Sequence, residues 1–220
     1  MMQRILEPEL MEDEAQVRAY AEADFSAPHQ QFVDRLLEIV DPAGFDRTAL
    51  DLGCGPGDIC LRFVEAYPLS RLDAVDGSKP MLDYARSSIA DEFQNRINFI
   101  HGKLPDVRPP SSGYDLIFSN SLLHHLPEPQ ILWQFIKRYA SPGARVAVMD
   151  LLRPQTIQEA QKKVEYYAAL EPEILQYDFY HSLLAAFTLE EINEQLREAS
   201  LNFSVTQISD RHVFITGLIT

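Results

Sequence analysis

Leu50-Asp51-Leu52-Gly53-Cys54-Gly55-Pro56-Gly57 sets three glycines at alternate positions directly after a short apolar run, Ala49 to Leu52. Such a run is a strand that stops in a loop, one that must bend tightly and leave its backbone bare. Asp58 follows as an N-cap for a helix carrying Ile59, Phe63 and Val64 on one side. A second apolar strand, Leu72 to Val75, ends in Asp76, Gly77 and Ser78. A glycine loop closes against a ligand at a helix N-terminus, where N–H groups and the helix dipole favour an anionic group. An acid at the tip of the next strand can accept hydrogen bonds from both hydroxyls of a ribose. Together the two segments describe a nucleoside-binding crevice.

The spacing narrows the nucleoside. Dinucleotide sites use G-x-G-x-x-G, which brings a helix N-terminus onto a pyrophosphate. Here the order is G-x-G-x-G, with Asp51 inside the preceding strand and Asp58 at the helix start. Two acids flanking the loop repel a pyrophosphate and suit a ligand carrying an amine and a sulfonium. The stretch resembles the first motif of class I S-adenosylmethionine (SAM)-dependent methyltransferases, and Asp76 matches the acid ending their second strand. The resemblance continues in order. Ile97 to Pro105 looks like a third strand and the turn covering the adenine; Tyr114 to Asn120 looks like a fourth, bordering the transferred methyl group. Leu122-Leu123-His124-His125-Leu126 follows it as in many small-molecule members, and Ser141 to Asp150 resembles their proline-glycine turn and fifth strand.

That resemblance covers roughly residues 48–151. It implies an α/β fold: a doubly wound, mainly parallel seven-stranded Rossmann-like sheet with helices on both faces. It also implies SAM as cofactor, S-adenosyl-L-homocysteine as product, and methyl transfer to an O, N, S or C nucleophile of a small-molecule acceptor. The cofactor-binding positions carried over are Asp51, Gly53, Gly55, Gly57, Asp76, Gly77, Ser78, Met81, Lys103, Leu104 and Asn120. Asp51 has a second reading, as a carboxylate that orients the glycine loop through its N–H groups. One residue departs from the pattern. Lys103 stands where many relatives have an aspartate that accepts from the adenine amine, and a lysine cannot accept that bond. Backbone groups at Lys103 and Leu104 are the alternative.

Composition sets the frame around this core. A chain of 220 residues with 46% hydrophobic residues can bury one substantial core, so one domain is expected. It divides into a helical cover (1–45), a cofactor-binding core (46–152), a helical insertion (153–187) and a C-terminal helix with a strand pair (188–220). No apolar run is long enough to span a bilayer, and the first residues lack the apolar stretch of a signal peptide. Cys54 and Cys60 are the only cysteines. They read as small hydrophobes in a reducing cytoplasm, and no metal site is expected. Net charge is −14, and basic residues cluster no further than pairs such as Lys137-Arg138. That balance disfavours nucleic acid and anionic membranes and favours a neutral or cationic small molecule. Oligomeric state is left open.

Strands at 47–52, 71–76, 96–101, 114–119 and 144–151 alternate with helices at 58–66, 79–92 and 128–140, the pattern of a parallel sheet. Helices are also expected at 12–24, 29–40, 155–169 and 188–199, an irregular stretch at 170–187, and strands near 202–208 and 211–219. The acidic run Glu7, Glu9, Glu12, Asp13, Glu14 reads as a solvated helix face. His124 and His125 are candidate catalytic bases, or else structural, and neighbours on a helical turn diverge by about 100°, so one at most faces a substrate easily. Tyr20 and Phe25 in the N-terminal helices, and Tyr177, Tyr180 and His181 in the insertion, are candidate substrate contacts, or the cover's own core. Two other functions stay in view: a non-catalytic SAM- or nucleotide-binding regulator, and an NAD-dependent oxidoreductase, which the glycine spacing disfavours.

Overall fold

A computed structural model describes residues 2–7 and 11–220. Five strands run parallel: β1 (Thr48–Leu52), β2 (Arg71–Asp76), β3 (Ile97–His101), β4 (Tyr114–Asn120) and β5 (Ala140–Leu151). β6 (Ser204–Gln207) and β7 (His212–Leu218) complete the sheet, β7 antiparallel to β5 and to β6. The order is β3-β2-β1-β4-β5-β7-β6. Winding reverses between β1 and β4, and a crevice opens there beyond the strands' carboxyl ends. The mainly parallel, seven-stranded sheet expected from the sequence is the sheet observed.

Alternation along the buried strands explains why helices cover both faces. Leu50, Leu52, Ile117, Val146 and Val148 point to one side, against Trp133 and Ile136 of α6 (Gln130–Tyr139) and Ile192 and Leu196 of α9 (Leu189–Glu198). Ala49, Leu116, Phe118, Ala147 and Met149 point to the other. There they meet Phe32 and Leu36 of α2 (Ser26–Ile39), Phe63 and Val64 of α3 (Asp58–Ala66), and Leu82 of α4 (Lys79–Ser88). Burying this much apolar surface is the main stabilising term. α1 (Glu14–Glu22), α7 (Ile157–Tyr167) and α8 (Glu173–Ala185) lie outside this framework, and α5 (Asp91–Gln94) is a single turn before β3.

Three expectations change. The stretch 170–187, expected to be irregular, is largely the regular helix α8; its buried residues are Leu175, Leu183, Leu184 and Ala185, and aromatic residues between them blur any apolar stripe. The helix expected over 79–92 ends at Ser88, because Ile89 turns extended as its C-cap. β5 begins at Ala140 rather than 144. Tyr114 pairs with Ala140 and Leu116 with Arg145, so Pro142 and Gly143 sit in an irregularity of one strand.

Candidate functional site

The loop after β1 is fixed by its own backbone. Gly53 and Cys54 both donate N–H bonds to the Val75 carbonyl, at 2.8 and 3.0 Å, which ties the loop to β2. Gly57 adopts φ +88° as the N-cap of α3, and a Cβ there would lie 3.1 Å from that of Ala85, so only glycine fits without displacing α4. Gly55 differs. Its φ is +53°, and a Cβ would meet nothing within 4 Å. It borders open cavity.

Asp76 closes the other side. Gly55 N–H donates to its Oδ2 at 2.8 Å and Ser78 N–H to its Oδ1 at 2.7 Å. Each carboxylate oxygen keeps lone-pair capacity for a further donor. Burial pushes this carboxyl above its ordinary range, although both N–H groups oppose the shift. Ser78 caps α4 by accepting from Met81 N–H, and its hydroxyl donates to the Met11 carbonyl.

A cavity of about 320 Å³ lies over these strand ends. Gly53, Gly55, Asp76, Gly77, Ser78 and Met81 line it, with Lys103, Leu104 and Asn120 beside them. The Lys103 carbonyl already accepts from Asp106 and Val107 N–H groups, so both its lone pairs are engaged. The buried Asn120 Oδ1 has no hydrogen-bond partner among the described residues. Tyr20 and Phe25 reach the cavity from the N-terminal helices with rings 4.9 Å apart. Burial, and the Asp76 and Asp150 carboxylates, push the Tyr20 phenol up to about 12.

Other expected residues lie elsewhere. Asp51 is 2% exposed and lies behind the loop, where the Cys60 thiol donates to it at 3.4 Å. The loop N–H groups that would answer to Asp51 go to Val75, Cys54 and Asp76 instead. Burial lifts its carboxyl to about 7. Gly57 packs on α4 rather than lining the cavity. Tyr177 is exposed and rests on His181, and neither they nor Tyr180 lines the cavity. Asp58 does not cap α3, which starts at the left-handed Gly57. Its carboxylate bridges His29 Nδ1 (2.7 Å) and Arg62 Nε (2.8 Å) at the cavity wall. Burial acts against ionisation, but those two partners outweigh it and bring Asp58 to about 2.

Both histidines border the cavity, contrary to the expectation that one at most would. They sit on a 3-10 turn, Leu123–His125, with ring centroids 4.1 Å apart. His124 is buried. Its Nδ1 lies 2.6 Å from Asp150 Oδ1 at the end of β5, and its Nε2 3.3 Å from Glu7 Oε1. His125 Nδ1 lies 3.1 Å from the same Glu7 oxygen. Burial opposes a charged imidazole, yet Asp150 and Glu7 together hold His124 above its ordinary value. Glu7 therefore leaves the solvated run: its side chain is 7% exposed, and Ser182 donates to it at 3.2 Å. Glu12, Asp13 and Glu14 are exposed, and Glu9 lies outside the described residues.

Residues 2–7 are held as a strap. Ile5 N–H donates to Leu184 O at 3.0 Å. The Arg4 guanidinium donates to the carbonyls of Ala185, His124 and Leu126 at 2.6 to 2.9 Å and lies 3.9 Å over the Phe187 ring. Asp178 from α8, with Arg211 and His212 from the start of β7, also border the cavity. Burial and Arg211 bring His212 down to about 4. Asp150 was findable by the reasoning that found Asp76, an acid ending an apolar strand. Glu7 and His212 carry no comparable signal.

Residues 49–143 match a family model described as a methyltransferase domain. An uncharacterised methyltransferase of Mycobacterium tuberculosis is 29% identical over 121 residues, 55% of this chain and 58% of the relative. A trans-aconitate 2-methyltransferase of Azoarcus is 33% identical over 103 residues, 46% of this chain and 38% of the relative. The chain thus spans little more than half of the first relative and less of the second. A SAM-dependent methyltransferase from Aquifex aeolicus shares the fold, with TM-score 0.67 at 17% identity over 96% of this chain and all of that one.

Proposed function

We propose that the chain, whose residues 49–143 match a methyltransferase-domain family model and which shares the fold of SAM-dependent methyltransferases, transfers a methyl group from SAM to a small-molecule acceptor. The carrying observation is the pairing of Asp76 with Gly55. A buried carboxylate with spare lone pairs suits two ribose hydroxyls, and the missing Gly55 side chain leaves room for the rest of the cofactor. The unpartnered Asn120 Oδ1 is a further acceptor in the same wall, so the residues present fit SAM. With the Lys103 carbonyl engaged, the adenine would rely on N–H groups of that turn.

SAM, when bound, brings a methyl group already activated on a sulfonium, so the protein's task is positioning in a dry site. Tyr20, Phe25 and the residues of α8 at the cavity wall form the acceptor's side of it. Asp24, Asp58, Asp76, Glu171 and Asp178 outnumber Lys103 and Arg211 around the cavity, which favours a neutral or cationic acceptor. If the acceptor arrives protonated, His124 is the residue placed to handle the proton. Asp150 at Nδ1 fixes the ring, and Nε2 lies 3.3 Å from Glu7 Oε1, the carboxylate to which the proton would pass. A cytoplasmic setting, where SAM is made and used, belongs to the same proposal; among the described residues no helix is long and apolar enough to cross a membrane.

The test is titration with SAM, then turnover to S-adenosylhomocysteine across metabolite pools. The expected result is SAM binding, a raised melting temperature and product in at least one pool. A shift with NADH and none with SAM would establish the oxidoreductase instead; binding without turnover in any pool would favour the regulator.

A further inference from the structure

We propose that Glu7, His124 and His125 form a binding site for one divalent transition-metal ion at the edge of the cavity. The donor set has the right chemistry: two imidazole nitrogens and one carboxylate are the ligands of open Zn2+ sites and of 2-His-1-carboxylate iron sites. The distances agree as well. Ligands about 2.0–2.2 Å from a tetrahedral ion sit about 3.3–3.6 Å from one another. Glu7 Oε1 stands 3.3 Å from His124 Nε2 and 3.1 Å from His125 Nδ1, and all three donor atoms lie within 4.8 Å of each other.

The surroundings supply what such ligands need. A metal-bound histidine usually gives its other ring N–H to a carboxylate, which fixes the tautomer and the ring plane. His124 Nδ1 does so with Asp150 at 2.6 Å, and Asp150 is itself held by the N–H groups of Leu123 (2.7 Å) and Leu151 (2.6 Å). Ser182 steadies Glu7. Charge points the same way. Glu7 and Asp150 put two carboxylates, 7% and 1% exposed, within one imidazole of each other, and buried charges require compensation. Arg4 supplies one positive charge from nearby, although its N–H groups bond backbone carbonyls. An ion among the ligands completes the neutralisation. Both histidines border the cavity, which gives the ion an entry path and leaves its remaining positions to water or to an oxygen donor of the acceptor.

This site does not depend on SAM binding and its test is separate; an ion on His124 Nε2 takes the place of the proton-handling role proposed above. The full chain, freed of metal by a chelator, is titrated with Zn2+ against a chromogenic competitor, and Co2+ is added separately for its ligand-field absorption. The expected result is one ion per chain. Glu7→Gln and His125→Gln, both near-isosteric or at a partly exposed position, each weaken Zn2+ more than Asp150→Asn, which weakens it about 10–100-fold. Circular dichroism confirms that each variant is folded. Two results would overturn the site: no stoichiometric Zn2+ binding, or binding that both Glu7→Gln and His125→Gln leave intact. In either case Glu7, His124, His125 and Asp150 form a polar cluster without an ion. SAM affinity of the metal-free chain, measured on the same preparation, separates failure of the ion from failure of the methyltransferase reading.

Discussion

At the scale of single residues, two aspartates at the ends of neighbouring strands do opposite work. Asp76 faces the cavity and takes N–H donors from both sides. Hydrogen bonds to an ionised group contribute roughly 1.5–3 kcal/mol each. Asp76→Ala is therefore expected to weaken SAM binding at least about tenfold, even after allowing for imperfect geometry. Calorimetry on a folded variant decides it, and unchanged affinity would remove Asp76 from the ribose. Asp51 faces the core, where the Cys60 thiol donates to it. Above pH 3.8 it ionises in the unfolded chain, yet in the fold it keeps its proton up to about 7. Between those values the folded chain holds more protons, so stability falls as pH rises. Asp51→Asn has nothing to lose to pH. It should exceed wild type by up to roughly 4 kcal/mol above pH 7 and show little advantage at pH 4. Denaturant midpoints at the two pH values check this, and parallel curves would mean that Asp51 is ionised in the fold.

At the scale of elements, the strap over residues 2–7 reaches the histidine turn through Arg4 and Glu7, and Ile5, Glu7 and Arg4 join it to α8. Losing one guanidinium removes bonds to four carbonyls, those of His124, Leu126, Pro127 and Ala185, and the contact with Phe187. The sheet and its two helical layers share none of those bonds. Arg4→Ala should then loosen the strap without unfolding the rest: hydrogen exchange at the Ile5 amide accelerates, and the melting temperature changes little. An Ile5 amide as protected as before would show that Leu184 and the Glu7 contacts hold the strap without Arg4. The same logic orders what SAM protects. The glycine loop should slow in exchange when SAM binds, and α1 with it if Tyr20 closes on the ligand.

At the scale of the molecule, the sequence was readable where backbone chemistry repeats locally and mute where distant segments meet. The strands and the glycine loop follow from apolar alternation and from residues that can adopt φ above zero, and Gly57 shows both constraints at one position. Asp76 and Ser78 were legible because strand end, carboxylate and cap are neighbours in the chain. α8 was not, since Tyr177, Phe179 and Tyr180 spread bulky rings around a helix that has no single apolar face. Nor was the gathering of Glu7 with His124 and His125, which depends on how Arg4 and Ile5 dock on α8 and the 3-10 turn. Local pattern carries no record of such closures. The glutamate looked like one more surface acid because its partners are over a hundred residues away.

The antiparallel pairing of β5 with β7 has a consequence for synthesis. β5 spans twelve residues and is buried along most of its length, and seven of its residues, Arg145 to Leu151, pair with Leu218 to His212. A ribosome must therefore add some sixty residues after β5 before that flank acquires its neighbour. Until then Val146, Val148 and Met149 lie along an unmated edge, the kind of surface that recruits strands from other molecules. Ending the chain before Arg211 would remove β7 and uncover that edge permanently, in the interior of the sheet. Such a product should be found in inclusion bodies, whereas removal of residues 2–7 alone should not send the chain there.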